Sequence, residues 1–270
     1  AHAGAAAPFT VDEAFFQRLL SLAPESAEAR YALAEMYRQA GKWVEAETEY
    51  RQAIALRPTF VEAYVGQGDV LMALNLYRPA SEAYRHALDL QPGNVTLSLK
   101  LATAYVKDNQ PSLAEPLLQD VLSREPNNAT ALTLAGDLLL AQGDTAGAIA
   151  RYDAAYKRGL TADALLKLAG AYLAAGQTGE AKKRYEDAIR LFPYRPEGYL
   201  GLGDVHLELG EQGKALDSYR QALQRAAAVS LKETIARKIV DLDPSDLRTR
   251  FLLAGYFRDQ YKYDGAIPQY

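Results

Sequence analysis

The stretch AEARYALAEMYRQAGKWVEAETEYRQAIALRP, residues 27–58, holds two apolar patterns of helical period on either side of one glycine. In the second pattern Ala46 and Tyr50 stand four residues apart, a spacing that places both on one helix face. Gly41 suits the left-handed backbone that ends many helices, and Pro58 cannot continue the second helix. The stretch therefore predicts two helices joined as a hairpin.

The same pattern recurs along the chain with a period of 34 residues, and one copy, from Ala129, is a residue shorter. Seven units begin at Ala27, Val61, Val95, Ala129, Ala162, Pro196 and Leu247. Positions are counted from these starts. The stretches YVGQGDVLMALN (64–75) and YLGLGDVHLELG (199–210) are two such copies.

Small residues at two positions predict close contact between the helices of each hairpin, and an aromatic column follows on the second helix. Position 8 holds Ala34, Gly68, Ala102, Gly136, Ala169, Gly203 and Ala254. Position 20 holds Ala46, Ala80, Ala114, Ala148, Ala181, Ala215 and Ala266. Position 24 holds Tyr50, Tyr84, Leu118, Tyr152, Tyr185, Tyr219 and Tyr270. Predicted helix breaks fall at Gly41, Asn75, Asn109, Gly143, Gly176 and Gly210, and proline closes four second helices, at Pro58, Pro92, Pro126 and Pro193.

This pattern resembles the tetratricopeptide repeat (TPR) from Ala27 to Tyr270. The resemblance implies an all-α, right-handed superhelical solenoid of about seven TPR helical hairpins. In that family the first helices line a concave groove that binds proteins or peptides. Each hairpin is expected to bury its apolar face only against its neighbours.

Three regions depart from the repeat. We expect a flexible segment over 1–9 and an N-terminal capping helix over 10–26, with Thr10 and Glu13 as a capping box. Six hairpins should fill 27–229, and 230–246 should be an irregular single helix whose start is capped by Ser230 and Glu233. The seventh hairpin, 247–270, is truncated in its second helix, so a fragment of a longer protein is expected.

Composition excludes several classes of function. The chain has 270 residues, a net charge of −4 and no cysteine, which argues against a nucleic-acid partner and excludes thiolate metal sites and disulfides. No apolar run approaches the ~20 residues that span a bilayer. The three histidines have different roles in the pattern, and His206 is expected to be a core residue with one hydrogen-bond partner. We predict no catalytic residue, no cofactor and no metal, and therefore a segment that is not an enzyme.

The glycines of the two copies could suggest a phosphate-binding loop, but such a loop precedes a helix, whereas Gly201 and Gly203 lie inside one. Position 8 is explained by helix contact. Gly66 and Gly201, at position 6, face the groove and could leave room there for the backbone of a ligand.

The groove predicted from the resemblance is an apolar row with carboxylates at position 9, which Lys100, Lys107 and Lys167 answer only in part. An exposed row of this length should bind something or be covered; the alternative is that neighbouring hairpins bury it. The predicted partner-binding residues are Tyr31, Glu35, Val65, Asp69, Met72, Leu99, Val106, Asp137, Leu140, Leu166, Leu173, Leu200, Asp204 and Leu207.

The sequence thus favours a scaffold that binds a peptide or amphipathic helix, apolar with some positive charge, within a multiprotein assembly. Self-association through the groove is a variant of this hypothesis. The alternative is a regulatory or substrate-recruiting segment of a longer enzyme or of an export machine. RNA binding by the similar pentatricopeptide architecture is disfavoured by the acidic balance. The composition suggests a bacterial protein of the cytoplasm or periplasm, without deciding between them.

Overall fold

The computed structural model describes residues 13–259, and within that range every regular element is an α-helix. The chain divides into two compact units, Ala1–Pro126 and Asn127–Tyr270. The predicted all-α class and its helical hairpins are confirmed.

The first unit holds one leading helix and three hairpins. Its helices are α1 (Glu13–Leu22), α2 (Ala27–Gln39), α3 (Trp43–Leu56), α4 (Val61–Ala73), α5 (Tyr77–Leu90), α6 (Val95–Lys107) and α7 (Pro111–Arg124). Phe16 and Leu20 of α1 are buried against the first hairpin, so α1 covers its apolar end. The Glu13 carboxylate accepts hydrogen bonds from Tyr37 and Lys42, while Thr10, its expected capping partner, lies outside the described residues.

The second unit holds three hairpins and two further helices. Its helices are α8 (Ala129–Ala141), α9 (Thr145–Gly159), α10 (Ala162–Ala174), α11 (Thr178–Leu191), α12 (Pro196–Glu208), α13 (Gln212–Arg225), α14 (Val229–Leu242) and α15 (Leu247–Asp259). The second helix expected for the last hairpin lies outside the described residues.

Small residues form the contact inside each hairpin, as predicted. The alanines of position 8 that are described, from Ala34 to Ala254, have no accessible surface, and the same holds for position 20 from Ala46 to Ala215. Ala266 lies outside the described residues. Because a larger side chain at either position would separate the two helix backbones, these columns fix the geometry of the hairpin.

The predicted helix breaks are confirmed. All six residues, from Gly41 to Gly210, have positive φ angles, between 55° at Asn109 and 84° at Gly143. The four prolines also lie where expected, two residues beyond the ends of α3, α5, α7 and α11.

The unit from Ala129 is one residue shorter than the 34-residue period, and the difference lies at the end of its second helix. Helix α9 has 15 residues rather than 14, and only Leu160 and Thr161 connect it to α10. Leu160 ends the helix with φ at 47°, an uncommon conformation for a residue with a branched side chain. Gly159 permits the longer helix, because a Cβ there would lie 3.0 Å from Cβ of Ala129.

Helix α14 is a single helix with a neighbour on two sides. Ile235 and Ile239 are buried in a cluster with Tyr219 of α13, and Ala236 is buried in another with Leu253 and Phe257 of α15. The capping box predicted at Ser230 and Glu233 is wrong. The helix begins one residue earlier, at Val229, so Ser230 lies inside it; Ala228 takes the cap position and has no side-chain oxygen to offer.

Candidate functional site

The fourteen predicted groove residues all keep part of their surface. Thirteen are half-buried, and Leu207 is 40% exposed. The alternative, that neighbouring hairpins bury the row, therefore holds for only part of each side chain. Several also pack on the core, for example Leu166 and Leu173 beside Tyr185.

The first unit brings four of these residues to one cleft. Tyr31, Glu35, Val65 and Asp69 line a cavity of about 500 Å³ between the first helices of its hairpins. Other lining residues, which the sequence did not single out, are Arg38, Glu62, Gln91, Asn94 and Thr96. Met72, Leu99 and Val106 lie outside this lining.

Tyr31 forms the aromatic wall of the cleft. Its ring lies 5.0 Å from that of Phe60 and 5.9 Å from that of Tyr50, centroid to centroid. Burial, helped by the nearby carboxylates of Glu35 and Glu62, raises the pKa of the Tyr31 hydroxyl. At neutral pH the phenol is therefore a neutral group that can pack against an apolar ligand and still donate a hydrogen bond.

Three aspartates of position 9 are already bound within the protein. Asp69 accepts a hydrogen bond of 2.6 Å from the Tyr84 hydroxyl and one of 2.5 Å from the Lys100 ammonium. Asp137 does the same with Tyr152 and Lys167, and Asp204 with Tyr219 and Lys238. In each tyrosine–aspartate–lysine cluster the tyrosine belongs to the same hairpin and the lysine to the next first helix, or to α14 in the third case.

These clusters change the charge of the row. Each aspartate has a lysine within salt-bridge distance, so its charge is largely compensated before any ligand arrives. The sequence named Lys100 and Lys167 as lysines that answer the carboxylates, but Lys238 lies in the segment that the repeat pattern could not place. Its position relative to Asp204 shows that α14 takes the place of a first helix there.

The carboxylate of the first repeat is bound differently. Glu35 accepts hydrogen bonds from Tyr50 and from Arg38 of its own helix. Partial burial raises the pKa of Glu35, but the hydrogen bonds from Arg38 and Tyr50 outweigh it and hold that pKa below its usual range. In contrast, Glu62 has no ion-pair partner among residues 13–259 and faces the cleft exposed.

The glycines of position 6 have a structural role that the sequence did not reveal. A Cβ on Gly66 would lie 2.4 Å from the ring of Tyr50, and one on Gly201 would lie 2.2 Å from the ring of Tyr185. Both glycines are buried. The space they leave beside the helix is thus filled by a tyrosine of the preceding hairpin, although Gly66 also belongs to the lining of the cleft in the first unit.

The glycines of position 8 also make room for a tyrosine ring, but the tyrosine belongs to their own hairpin. A Cβ on Gly68, Gly136 or Gly203 would lie 2.4–2.5 Å from the ring of the tyrosine in the same hairpin. This confirms that Gly203 is a contact residue inside a helix, not part of a phosphate loop. His206 is likewise buried, with Nδ1 2.6 Å from Glu211, which confirms a core histidine with that partner.

Residues 13–259 contain neither a helix that could span a membrane nor a metal-binding cluster of side chains. None of their helices combines the length and apolar character that crossing a membrane requires. No group of three histidine, aspartate or glutamate side chains in that range is arranged to hold a metal ion.

These features define a repeat protein built from helical hairpins, and three family models agree with that class. One described as the cytochrome c-type biogenesis protein H TPR domain matches residues 50–164, and two tetratricopeptide repeat models match 166–230 and 27–60. The chain is a member of the tetratricopeptide repeat family.

Known proteins are similar to it over different lengths. Protein O-mannosyl-transferase TMTC3 of Homo sapiens is 36% identical over 70 residues, which is 26% of this chain but only 8% of that protein. A tetratricopeptide repeat protein from Parabacteroides merdae shares the fold with a TM-score of 0.67 at 16% identity, covering 90% of this chain and 98% of that one. The APC/C hetero-tetramer Cut9–Hcn1 gives a TM-score of 0.65 at 18% identity, covering 89% and 45%.

Proposed function

We propose that the chain is a protein-interaction scaffold whose cleft in the first unit holds a segment of a partner protein. The observation that carries this proposal is the cleft itself, where Tyr31 and Val65 present apolar surface beside the free carboxylate of Glu62. Binding sites commonly combine such a mostly apolar wall with a few polar groups that fix orientation. Cut9–Hcn1, a solved hetero-tetramer in which one chain shares this fold, supports a role in multiprotein complexes.

The partner segment has an apolar side chain next to a lysine or arginine. The apolar side chain packs between Tyr31 and Val65, and the cation reaches Glu62. Glu35 and Asp69 contribute little to this charge preference, because Arg38 and Lys100 already compensate them. The segment is an extended peptide or an amphipathic helix, the two forms that lie in grooves of this kind.

A photo-crosslinking amino acid placed at Val65 tests this function in an extract of the source organism. A matched control carries the same group at Arg85, which is exposed on the second helix α5. Cross-links specific to position 65 should map to one partner segment, and a synthetic peptide of that segment should bind the purified chain.

Substitutions in the cleft then test whether the cross-linked peptide binds there. Tyr31→Ala and Glu62→Lys should each weaken the peptide, by about tenfold for an aromatic anchor and about twofold to fivefold for an exposed charge. Arg85→Ala should leave the affinity unchanged. The proposal fails if the same segment is cross-linked from both positions, or if the peptide binds both cleft variants as tightly as the native chain.

We further propose that this segment is not itself catalytic and recruits partners for a larger protein or assembly. The similarity to TMTC3 favours this form of the hypothesis, since the matched region is a small part of a much longer protein named as a transferase. Sequencing the gene on both sides of the 270 residues tests it, because an adjoining catalytic or export domain would identify what the scaffold serves.

A further inference from the structure

A second cavity lies in the second unit, where the single helix α14 stands beside α13 and α15. Its volume is about 330 Å³, and Leu223 of α13, Lys232 of α14 and Arg248 and Tyr256 of α15 are among its lining residues. None of the fourteen groove residues belongs to it. The cavity forms where one helix occupies the place of a hairpin.

Arg220 and Asp246, two lining residues of this cavity, belong to one ion-pair network. The Arg220 guanidinium donates to Asp246 at 3.0 Å and to Asp243 at 3.4 Å. Asp246 also accepts the backbone N–H of Thr249, and these bonds hold the pKa of Asp246 below its usual range. The carboxylate is therefore fully occupied by Arg220 and the start of α15.

Two cationic lining residues, Lys232 and Arg248, do not take part in this ion-pair network. Neither Lys232 nor Arg248 has a salt bridge or a side-chain hydrogen bond to any of residues 13–259. The lining contains three cations and one carboxylate, in a chain whose net charge is −4. A local excess of positive charge in a concave site attracts an anionic ligand.

Most of the remaining lining residues are apolar, and Gln224 and Thr249 are the polar ones. Leu223 and Tyr256 are half-buried, and Leu252 keeps 40% of its surface exposed. An anion alone would leave this surface in water, whereas a ligand that also carries an apolar side chain would cover it. The volume is within the range of about 300–1,000 Å³ of ordinary ligand sites.

We propose that this cavity binds a short acidic segment of a partner protein, in which an aspartate or glutamate stands next to a leucine, isoleucine or phenylalanine. The carboxylate pairs with Lys232 and Arg248, and the apolar side chain packs between Leu223, Leu252 and Tyr256. The site is independent of the cleft in the first unit. The scaffold thus has two binding surfaces of opposite charge preference.

Selection of phage-displayed random peptides on the full 270-residue chain tests the proposal. Each round is depleted on a Lys232→Ser, Arg248→Ser double variant, so that peptides bound elsewhere are removed. Enriched peptides should place an acidic residue beside a large apolar one. Labelled copies should bind the double variant about threefold to tenfold more weakly, the loss expected for two exposed ion pairs.

A control double variant, Arg158→Ser with Lys183→Ser, removes the same charge from exposed residues of the same unit and should leave binding unchanged. Leu252→Ala should weaken binding at all salt concentrations, while the effect of the two cations should shrink above about 0.15 M salt. Circular dichroism of each variant checks that the helices persist.

Four results would overturn the proposal. The enriched peptides could lack acidic residues, or they could bind both double variants equally. Inorganic phosphate at matched ionic strength could displace them, which would identify a simple anion site. Sedimentation could show that the chain self-associates and that the Lys232→Ser, Arg248→Ser variant does not, which would make a second copy the occupant.

Discussion

Tyr219 and Tyr185 occupy the same position in adjacent hairpins and yet pack in different ways. The Tyr219 ring lies over Gly203 of its own hairpin, and its hydroxyl donates to Asp204, which Lys238 also binds. Tyr185 has Ala169 and Gly170 at the equivalent positions and lies instead over Gly201 of the next hairpin. One repeat position therefore supports two packing arrangements, and the neighbouring residues select between them.

The selection follows the location of a glycine. Where position 8 is glycine, as at Gly68, Gly136 and Gly203, the tyrosine packs inside its own hairpin and bonds to an aspartate at position 9. Where position 8 is alanine, at Ala34 and Ala169, the glycine stands at position 6 of the following hairpin. A buried ring at this position therefore needs one missing side chain, which either hairpin can provide.

Alkaline titration should have the largest effect on this comparison. Burial and the neighbouring carboxylate raise the pKa of Tyr84, Tyr152 and Tyr219, whereas burial and the more distant Asp204 raise that of Tyr185 to about 12. Because the folded chain holds these protons more tightly than the unfolded chain, their stabilisation is complete below pH 10 and is lost as the pH rises through the raised values.

We therefore expect the chain to unfold cooperatively above pH 10. Absorbance of tyrosinate at about 295 nm and circular dichroism, followed together, should show the aspartate-bound tyrosines ionising only as helix is lost. Complete ionisation of all 18 tyrosines with unchanged helix content would contradict the expected burial.

Gly201→Ala should give the next largest effect. Its new methyl group would lie 2.2 Å from the Tyr185 ring, and overpacking of this kind costs about 1–3 kcal/mol in the free energy of unfolding. In a Tyr185→Leu background the clash is removed, so the same change should become neutral or stabilising by up to about 1 kcal/mol, the helix propensity of alanine over glycine.

Urea unfolding of the four chains in this double-mutant cycle measures the coupling. Gly255→Ala is the control, since a Cβ at Gly255 meets no atom of residues 13–259 within 4 Å and the change should only stabilise. Additive effects of Gly201→Ala and Tyr185→Leu would show that the ring does not depend on the glycine.

Removal of one hydroxyl should have the smallest effect and distinguishes Tyr219 from Tyr185 directly. Tyr219→Phe deletes the hydrogen bond to Asp204 and should cost about 1–2 kcal/mol, because a partly buried carboxylate loses a donor. Tyr185→Phe should cost less than about 0.5 kcal/mol, the usual limit where no such partner is lost. Equal losses in urea unfolding would mean that the bond to Asp204 does not distinguish these two tyrosines.

Most of the fold could be predicted from the sequence because the residues that make its contacts recur at fixed positions of each repeat. The helix breaks from Gly41 to Gly210 and the buried alanines could be predicted from the residue types found at each repeat position. Few residues tolerate a left-handed backbone, and few fit a close contact between helices. The start of α14 was missed because Ser230 looks like a cap and nothing local indicates that the helix has already begun.

The candidate site was harder to predict from the sequence, because its contacts join residues about one repeat apart. The sequence shows Asp204 and Lys238, but only the position of α14 brings them together. Gly201 looked like room for a ligand because the ring that fills it comes from the preceding hairpin. Arg248 and Lys232 belong to no repeated column, so no pattern pointed to their cavity.

The clusters also bear on how such an array can be rearranged by duplication or exchange. Asp69 and Asp137 each require a lysine at position 6 of whatever hairpin follows, whereas Tyr50 and Tyr185 require a glycine there. A hairpin moved to a new place could carry a lysine at position 6 where the preceding tyrosine requires a glycine, or a glycine where the preceding aspartate requires a lysine. The tyrosine ring would then clash, or the carboxylate would lose its ion pair. Successive hairpins of one family are thus not interchangeable modules, and their order along the chain is encoded in the side chains at their joints.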